Sequence, residues 1–132
     1  MTREVWKALT IQAALDPALE CCGLLAGRDG IISTLLPARN ALASATAFEI
    51  DPAELFALFR RMRALAADHM GIYHSHPATE NAPSASDIAA AYYPDVAYFV
   101  LSPAPDAPKP VRAFSIRDGR SEEIEIVIVD RR

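Results

Sequence analysis

Cysteine is nearly absent: the chain has two, Cys21 and Cys22, and they are neighbours. Adjacent cysteines make a poor staple, which excludes a disulfide-held scaffold and leaves reduced thiols in a cytoplasmic protein as the expectation. They also make a poor metal pair, because neighbours on a strand point to opposite faces. No apolar run reaches the roughly 18 residues that a membrane-spanning helix needs. The opening stretch, Met1-Thr2-Arg3-Glu4-Val5-Trp6-Lys7, lacks the basic-then-apolar order of a secretory signal. Charge of one sign is equally scarce. A net charge of -4 argues against a nucleic-acid backbone as the ligand, and no membrane partner is expected. The basic cluster of Arg60, Arg61 and Arg63 falls on a predicted helix, where a solvated face accounts for it. Histidine is rare too: there are three, and two of them stand one residue apart, at His74 and His76.

What the chain does contain fits one domain spanning residues 1–132, enough to bury a substantial core. Apolar residues make up 52%, but much of that is alanine, so the core rests on fewer large side chains than the figure suggests. A first helix is predicted from Thr2, as N-cap, to about Leu15, with Val5, Leu9 and Ala13 on one stripe, Trp6 beside it, and Asp16-Pro17 ending it. Cys22 to Gly27 and Ile31 to Leu36 flank an Arg28-Asp29-Gly30 turn and read as a hairpin. Arg39 to Thr46 reads as a loop and Phe48 to Ile50 as a short strand. Asp51-Pro52-Ala53-Glu54 carries a cap, a first-turn proline and a capping-box acid. It predicts a helix to about Asp68 with Leu55, Leu58, Phe59, Met62 and Leu65 on its apolar face. Met70 to His74 reads as a strand. Ser84 or Ser86 caps a short helix over Asp87 to Tyr92, stopped by Pro94. Ala97 to Leu101, continuously apolar, reads as a central strand covered on both faces. After a proline-rich crossing, Val111 to Arg117, the Asp118-Gly119 turn and Glu122 to Val129 form a last hairpin, with Ile124, Ile126 and Ile128 on the buried face. The fold class is α/β, a mixed sheet with flanking helices.

The chemistry concentrates around Gly71-Ile72-Tyr73-His74-Ser75-His76-Pro77. On a strand, residues two apart share a face, so His74 and His76 project together as a chelating pair does. Asp87, eleven residues on, can return as a third ligand across a loop and helix start. Three protein ligands with a fourth position left to water is the arrangement of a catalytic zinc. Such a site needs a base near the metal but not bound to it. Glu20 is the best candidate, since a carboxylate entering an apolar strand has no obvious packing role. The Ser84 hydroxyl can serve an oxyanion. By closeness to the motif, Tyr73, Ser75, Thr79, Asn81 and Tyr92 are expected to line the cleft. His69 is read as a structural or surface residue.

Together these residues resemble the motif of the JAMM family, the MPN-plus or JAB-domain zinc metallopeptidases: Glu, then His-Ser-His, then seven residues that open with a proline (Pro77 to Pro83), then Ser-x-x-Asp. Glu20, His74, His76, Ser84 and Asp87 stand in the matching positions, and Glu20-Cys21-Cys22-Gly23-Leu24-Leu25 resembles the Glu-x-Cys-Gly-Leu-Leu of the bacterial branch. Tyr73 and Pro83 fit as well. The resemblance implies one zinc per chain on His74, His76 and Asp87, Glu20 as general base, and Ser84 steadying the tetrahedral intermediate. It implies a cytidine-deaminase-like JAB/MPN fold and a protein or peptide substrate. The chain lacks the long insertions of eukaryotic deubiquitinases, which points to the small bacterial or archaeal enzymes acting at the C-terminus of a ubiquitin-like sulfur-carrier protein. From Ser102 onward no motif matches.

Two other functions are consistent with such a fold. A non-catalytic MPN-type binding module lacks the five-residue set present here. A zinc deaminase needs Pro-Cys-x-x-Cys and His-x-Glu signatures, and neither occurs.

Overall fold

A computed structural model of the chain describes residues 1–130. Helix α1 (Arg3–Leu15) leads into hairpin β1 (Cys22–Arg28) and β2 (Ile31–Ala38), then α2 (Pro52–Ala64) and β3 (Asp68–Ser75). The short α3 (Ala85–Ala89), β4 (Ala97–Leu101), β5 (Val111–Arg117) and β6 (Arg120–Ile124) follow. The six strands form one mixed sheet in the order β2-β1-β3-β4-β5-β6. Only the β3–β4 pair is parallel. Its crossover carries α3, which places the carboxyl ends of β3 and β4 beside the start of α3. Both hairpin turns are Asp-Gly pairs with positive φ at both residues, at Asp29-Gly30 and Asp118-Gly119. That is the turn type whose twist matches antiparallel strands.

The sheet has a core on each face, as alternation along a doubly covered strand requires. On one side Val5, Leu9 and Ala13 of α1 pack with Leu25, Tyr73, Phe99 and Leu101. On the other, Leu24, Ile72, Tyr98 and Val100 meet Met62 of α2, with Phe48, Leu55, Leu58, Phe59 and Ile88 packed against them. β4 is therefore covered on both faces, as its unbroken apolar run implies. Since Tyr73 faces α1, its neighbours Ile72 and His74 face α2, and this parity decides where the histidines point. The Arg60, Arg61 and Arg63 side of α2 is exposed. No helix among the described residues is long and apolar enough to cross a membrane.

Several element boundaries differ from the sequence expectations, each for a contact that the apolar pattern does not report. The predicted strand Phe48–Ile50 is an extended loop segment. The Glu49 N–H donates to Asn40 Oδ1 and its carbonyl accepts from Ala41 N–H, so neither group joins a sheet. α2 stops at Ala64 rather than Asp68, and Leu65 is exposed. Ala67 N–H donates to Met62 O and Ala66 N–H to Arg63 O, a Schellman closure in which Ala66 takes φ 50°. The sequence offers no glycine there to announce the stop. Arg28 reinforces it, donating to the carbonyls of Leu65 and Ala66. At the other end Asp51 caps as expected, but Glu54 accepts from Arg39 N–H instead of completing a capping box. α3 covers Ala85–Ala89 rather than Asp87 to Tyr92, with Ser84 as its cap. Tyr98 Oη then accepts from Tyr93 N–H and donates to Tyr93 O, which fixes the chain beyond α3 as non-helical. The last strand ends at Ile124, which is exposed. Ile126 and Ile128 leave the sheet to pack beside α1, and Val129 bridges to Thr2.

Ala66 holds a left-handed conformation that glycine adopts at no steric cost. Ala66→Gly is therefore expected to stabilise the protein by roughly 0.5–1 kcal/mol, seen as a higher urea midpoint with unchanged slope. An equal or lower midpoint would show that the closure is not strained.

Candidate metal centre

The alternation of β3 puts His74 and, just past its end, His76 on the α2 face, and both are buried. The N-terminus of α3 carries Asp87 to them. Ser84 N–H donates to Asp87 Oδ2 at 2.9 Å while Asp87 N–H donates to Ser84 Oγ at 3.1 Å, a capping box that fixes the carboxylate. Three side-chain atoms then converge. His74 Nε2 and His76 Nε2 lie 3.1 Å apart, and Asp87 Oδ2 lies 3.1 Å from the first and 3.0 Å from the second. This is the one such group of His, Cys, Asp or Glu ligand atoms among the described residues, and neither cysteine joins it.

The protons needed to satisfy this triangle do not all fit. His76 Nδ1 lies 2.9 Å from Glu80 O. A carbonyl accepts only, so Nδ1 carries the hydrogen and a neutral ring leaves Nε2 as a bare lone pair. That lone pair points at a carboxylate oxygen and at another imidazole nitrogen. A cation in the middle satisfies all three donors, and edges of about 3.3 Å follow for a tetrahedral zinc with bonds near 2.0 Å. The triangle is within a few tenths of an ångström of that size. Without a cation, burial works against the charge on Asp87, but the His74 and His76 contacts hold its carboxyl well below the usual range. Burial likewise lowers His76, and the Asp87 and Glu80 contacts outweigh it and raise the ring.

The surroundings hold these three side chains still. Phe48 stacks on the His74 ring at 4.6 Å between centroids. Asn81, buried, donates to Val100 O and Lys109 O and so anchors the loop whose Glu80 carbonyl orients His76. Ser75 faces the opposite way from the histidines. Its Oγ accepts from Cys21 N–H at 2.9 Å and its N–H donates to Cys21 O, tying β3 to the segment that carries Glu20.

Glu20 is buried, and its Oε1 has no hydrogen-bond partner among the described residues. Its backbone is clamped: the N–H donates to Ser44 O and the carbonyl accepts from Asn40 Nδ2. Burial pushes its pKa up to about 7, with His76 pulling down and Asp87 adding to the rise. A carboxylate within electrostatic reach of the cluster, but bonded to none of it, has the properties of a base held in reserve. Ser84, by contrast, is exposed, and its oxygen is engaged as the α3 cap. Both cysteines are free, and burial raises both thiols, Cys22 to about 12.

Of the five residues expected along the cleft, Tyr92 lines the groove beside His74 and Asp87. Tyr73 is fully buried on the α1 side with its hydroxyl donating to Gln12, Ser75 and Asn81 are structural, and exposed Thr79 lines none of the three main hollows. The parity of β3 already assigned Tyr73 and Ser75 away from the histidines. Phe48 and Asn40 were not legible. Asn40 gathers Glu20, Ser44 and Ala47 carbonyls on one amide, a hub built from loop residues with no periodic signal.

The raised Glu20 pKa has a definite sign in metal-free protein. The acid form is favoured in the fold, so the stability it contributes is full below the ordinary value of 4.5 and is lost as pH rises through about 7. In excess chelator, Glu20→Gln is expected to melt above the wild type at pH 8, with the gap closing by pH 4.5. Parallel melting curves across that range would show that Glu20 is not desolvated.

The chain matches the family model of prokaryotic homologues of the JAB domain over residues 2–117. CysO-cysteine peptidase of Mycobacterium tuberculosis is 32% identical over 126 residues, covering 94% of this chain and 86% of that protein. Desampylase of Haloferax volcanii is 36% identical over 94 residues, covering 69% and 68%. The solution structure of protein DSY2949 from Desulfitobacterium hafniense superposes with a TM-score of 0.87 at 31% identity, covering 98% of this chain and 92% of that one. The chain therefore belongs to the prokaryotic branch of the JAB/JAMM family that its motif resembles.

Proposed function

We propose that this protein is a zinc-dependent metallopeptidase that hydrolyses a peptide, isopeptide or amide bond at the C-terminus of a ubiquitin-like carrier protein. One observation carries the reading: two imidazole nitrogens and a carboxylate oxygen converge to 3.0–3.1 Å beside a buried carboxylate with no partner. Relatives named as a desampylase and a CysO-cysteine peptidase support a hydrolase acting on a protein conjugate.

His74, His76 and Asp87 would hold the ion. Zinc in such a three-ligand site supplies a Lewis acid that brings a bound water to a pKa of about 7 and polarises a carbonyl. The remaining work belongs to the protein's own groups. Glu20, buried and without a hydrogen-bond partner, is placed to take a proton from the attacking water at Oε1 and return it to the departing nitrogen. Its burial keeps it from pairing elsewhere between the two transfers. Ser84 Oγ accepts from Asp87 N–H and stands 3.1 Å from Ser86 Oγ. With Ser86 as the donor in that pair, the Ser84 hydrogen is left for a substrate carbonyl oxygen as charge develops there. The apolar groove beside His74 and Asp87, about 430 Å³ and bordered by Phe48, Ile50 and Tyr92, suits an extended acyl segment.

The test separates binding from chemistry. Glu20→Gln is expected to retain one zinc per chain by elemental analysis while losing roughly 10²- to 10⁴-fold in turnover. Undiminished hydrolysis by that variant removes Glu20 as the base. Carefully prepared wild type without zinc affinity removes the metallopeptidase reading and leaves a binding module.

A further inference from the structure

Residues 77–83 join His76 to the Ser84 cap of α3, so this loop governs how the imidazoles and Asp87 meet. Two neighbouring side chains tie it to the sheet. Asn81 reaches inward to Val100 O and Lys109 O. Glu80 reaches outward, its Oε1 accepting from Arg112 Nη1 at 3.2 Å. The Glu80 carbonyl meanwhile accepts from His76 Nδ1 at 2.9 Å and from Ala82 N–H. The residue that orients the His76 ring is therefore also the one that Arg112 holds.

Arg112 comes to this place along the sheet face that carries the histidines. Val100 pairs with His74 on one side and with Arg112 on the other. Phe114, two residues along β5, packs in the same core as Ile72 and Val100, and alternation puts Arg112 on that face as well. Its guanidinium is held firmly. Nε and Nη2 donate to Glu123 at 3.1 and 2.8 Å, and Cζ lies 5.1 Å from the centre of the Phe114 ring. With those edges of the planar fork engaged, Nη1 is left for Glu80, and a rigid fork supplies direction as well as charge. An exposed ion pair is by itself worth little, and the Glu80 side chain is 79% exposed. What sets this pair apart is the imidazole on the other side of the same residue.

Resting on the reading of His74, His76 and Asp87 as zinc ligands, we infer that Arg112 is a positioning residue of the metal centre. Through Glu80 it steadies the carbonyl that keeps the hydrogen on His76 Nδ1 and leaves the Nε2 lone pair directed toward His74 and Asp87. Loss of a group bonded directly to a ligating histidine costs roughly 10- to 100-fold in metal affinity. Arg112 acts one residue further out, so its share is smaller.

The experiment measures zinc affinity of the full chain by chelator competition, alongside thermal melting and the imidazole nitrogen NMR spectrum. Arg112→Met, which keeps the apolar stem, is expected to weaken zinc binding about three- to tenfold. It is also expected to speed solvent exchange of the His76 Nδ1 hydrogen in zinc-loaded protein. Glu80→Ala keeps the backbone carbonyl and does the same. The double variant loses no more than the larger single loss, because both changes cut one link. Arg112→Lys recovers part of the affinity. Arg117→Gln, which removes the exposed pair between β5 and Asp95, leaves zinc affinity at the wild-type level. A merely structural Arg112 would lower the melting temperature while affinity and exchange stayed as in the wild type. That result, or additive losses in the double variant, overturns the inference alone. Should Arg112→Met not fold, Glu80→Ala decides, and wild-type zinc affinity in it overturns the inference. A wild-type chain without zinc affinity overturns the metallopeptidase reading and this inference with it.

Discussion

The meeting of three electron-pair donors around one point is the constraint on which the site end of the molecule depends. Left without a cation, His74, His76 and Asp87 present lone pairs to one another in a buried setting, an arrangement that burial penalises unless protons or a metal intervene. The fold concentrates its polar positioning there. The β3 pleat supplies the two imidazoles on one face, the single parallel crossover brings α3 back to the carboxyl end of β3, and a capping box fixes the carboxylate. Ligand sites at the carboxyl ends of parallel strands follow from the same geometry in other α/β sheets. Here one parallel pair within an otherwise antiparallel sheet is sufficient.

Glu20 is held by a second, independent arrangement. The strand pairing that sets Cys22 opposite His74 brings Glu20 alongside the His74, His76 and Asp87 cluster. The Ser75–Cys21 hydrogen bonds and the Asn40 hub then fix the backbone on either side of it. Gly23 permits this approach, because a Cβ there would lie 2.5 Å from both the Tyr73 hydroxyl and Leu36 O. Desolvation without a partner is costly to stability, and it is also what places the carboxyl near neutrality. Local instability and a poised proton acceptor have the same cause.

Much of this was legible in the residues. Alternation put His74 and His76 together, the Val5, Leu9 and Ala13 stripe defined α1, and the apolar run at Ala97–Leu101 announced a doubly covered strand. These are periodic signals, and periodicity reports burial directly. The Ser84-x-x-Asp87 spacing suggested both a cap and a ligand, and the capping box fixes the Asp87 carboxylate beside His74 and His76. What failed was set by single contacts, near and far in sequence, that apolar periodicity does not report. Ala66 in a left-handed conformation closes α2 early without a glycine, Tyr98 pins Tyr93, and the N-terminal segment draws Val129 out of the last hairpin. None of these leaves a mark in a local window. Asn40 and Phe48 were invisible for the same reason, since a loop hub and a ring stacked on a histidine depend on where the chain returns.

The central claim concerns which atoms hold the metal, and the zinc K-edge absorption spectrum of the zinc-loaded chain tests it most directly. The account predicts one zinc per chain with two imidazole nitrogens and oxygen donors in the first shell, near 2.0–2.1 Å, and no sulfur at about 2.3 Å. A sulfur scatterer, which only Cys21, Cys22 or a methionine could provide, or a shell containing a single imidazole, would contradict it.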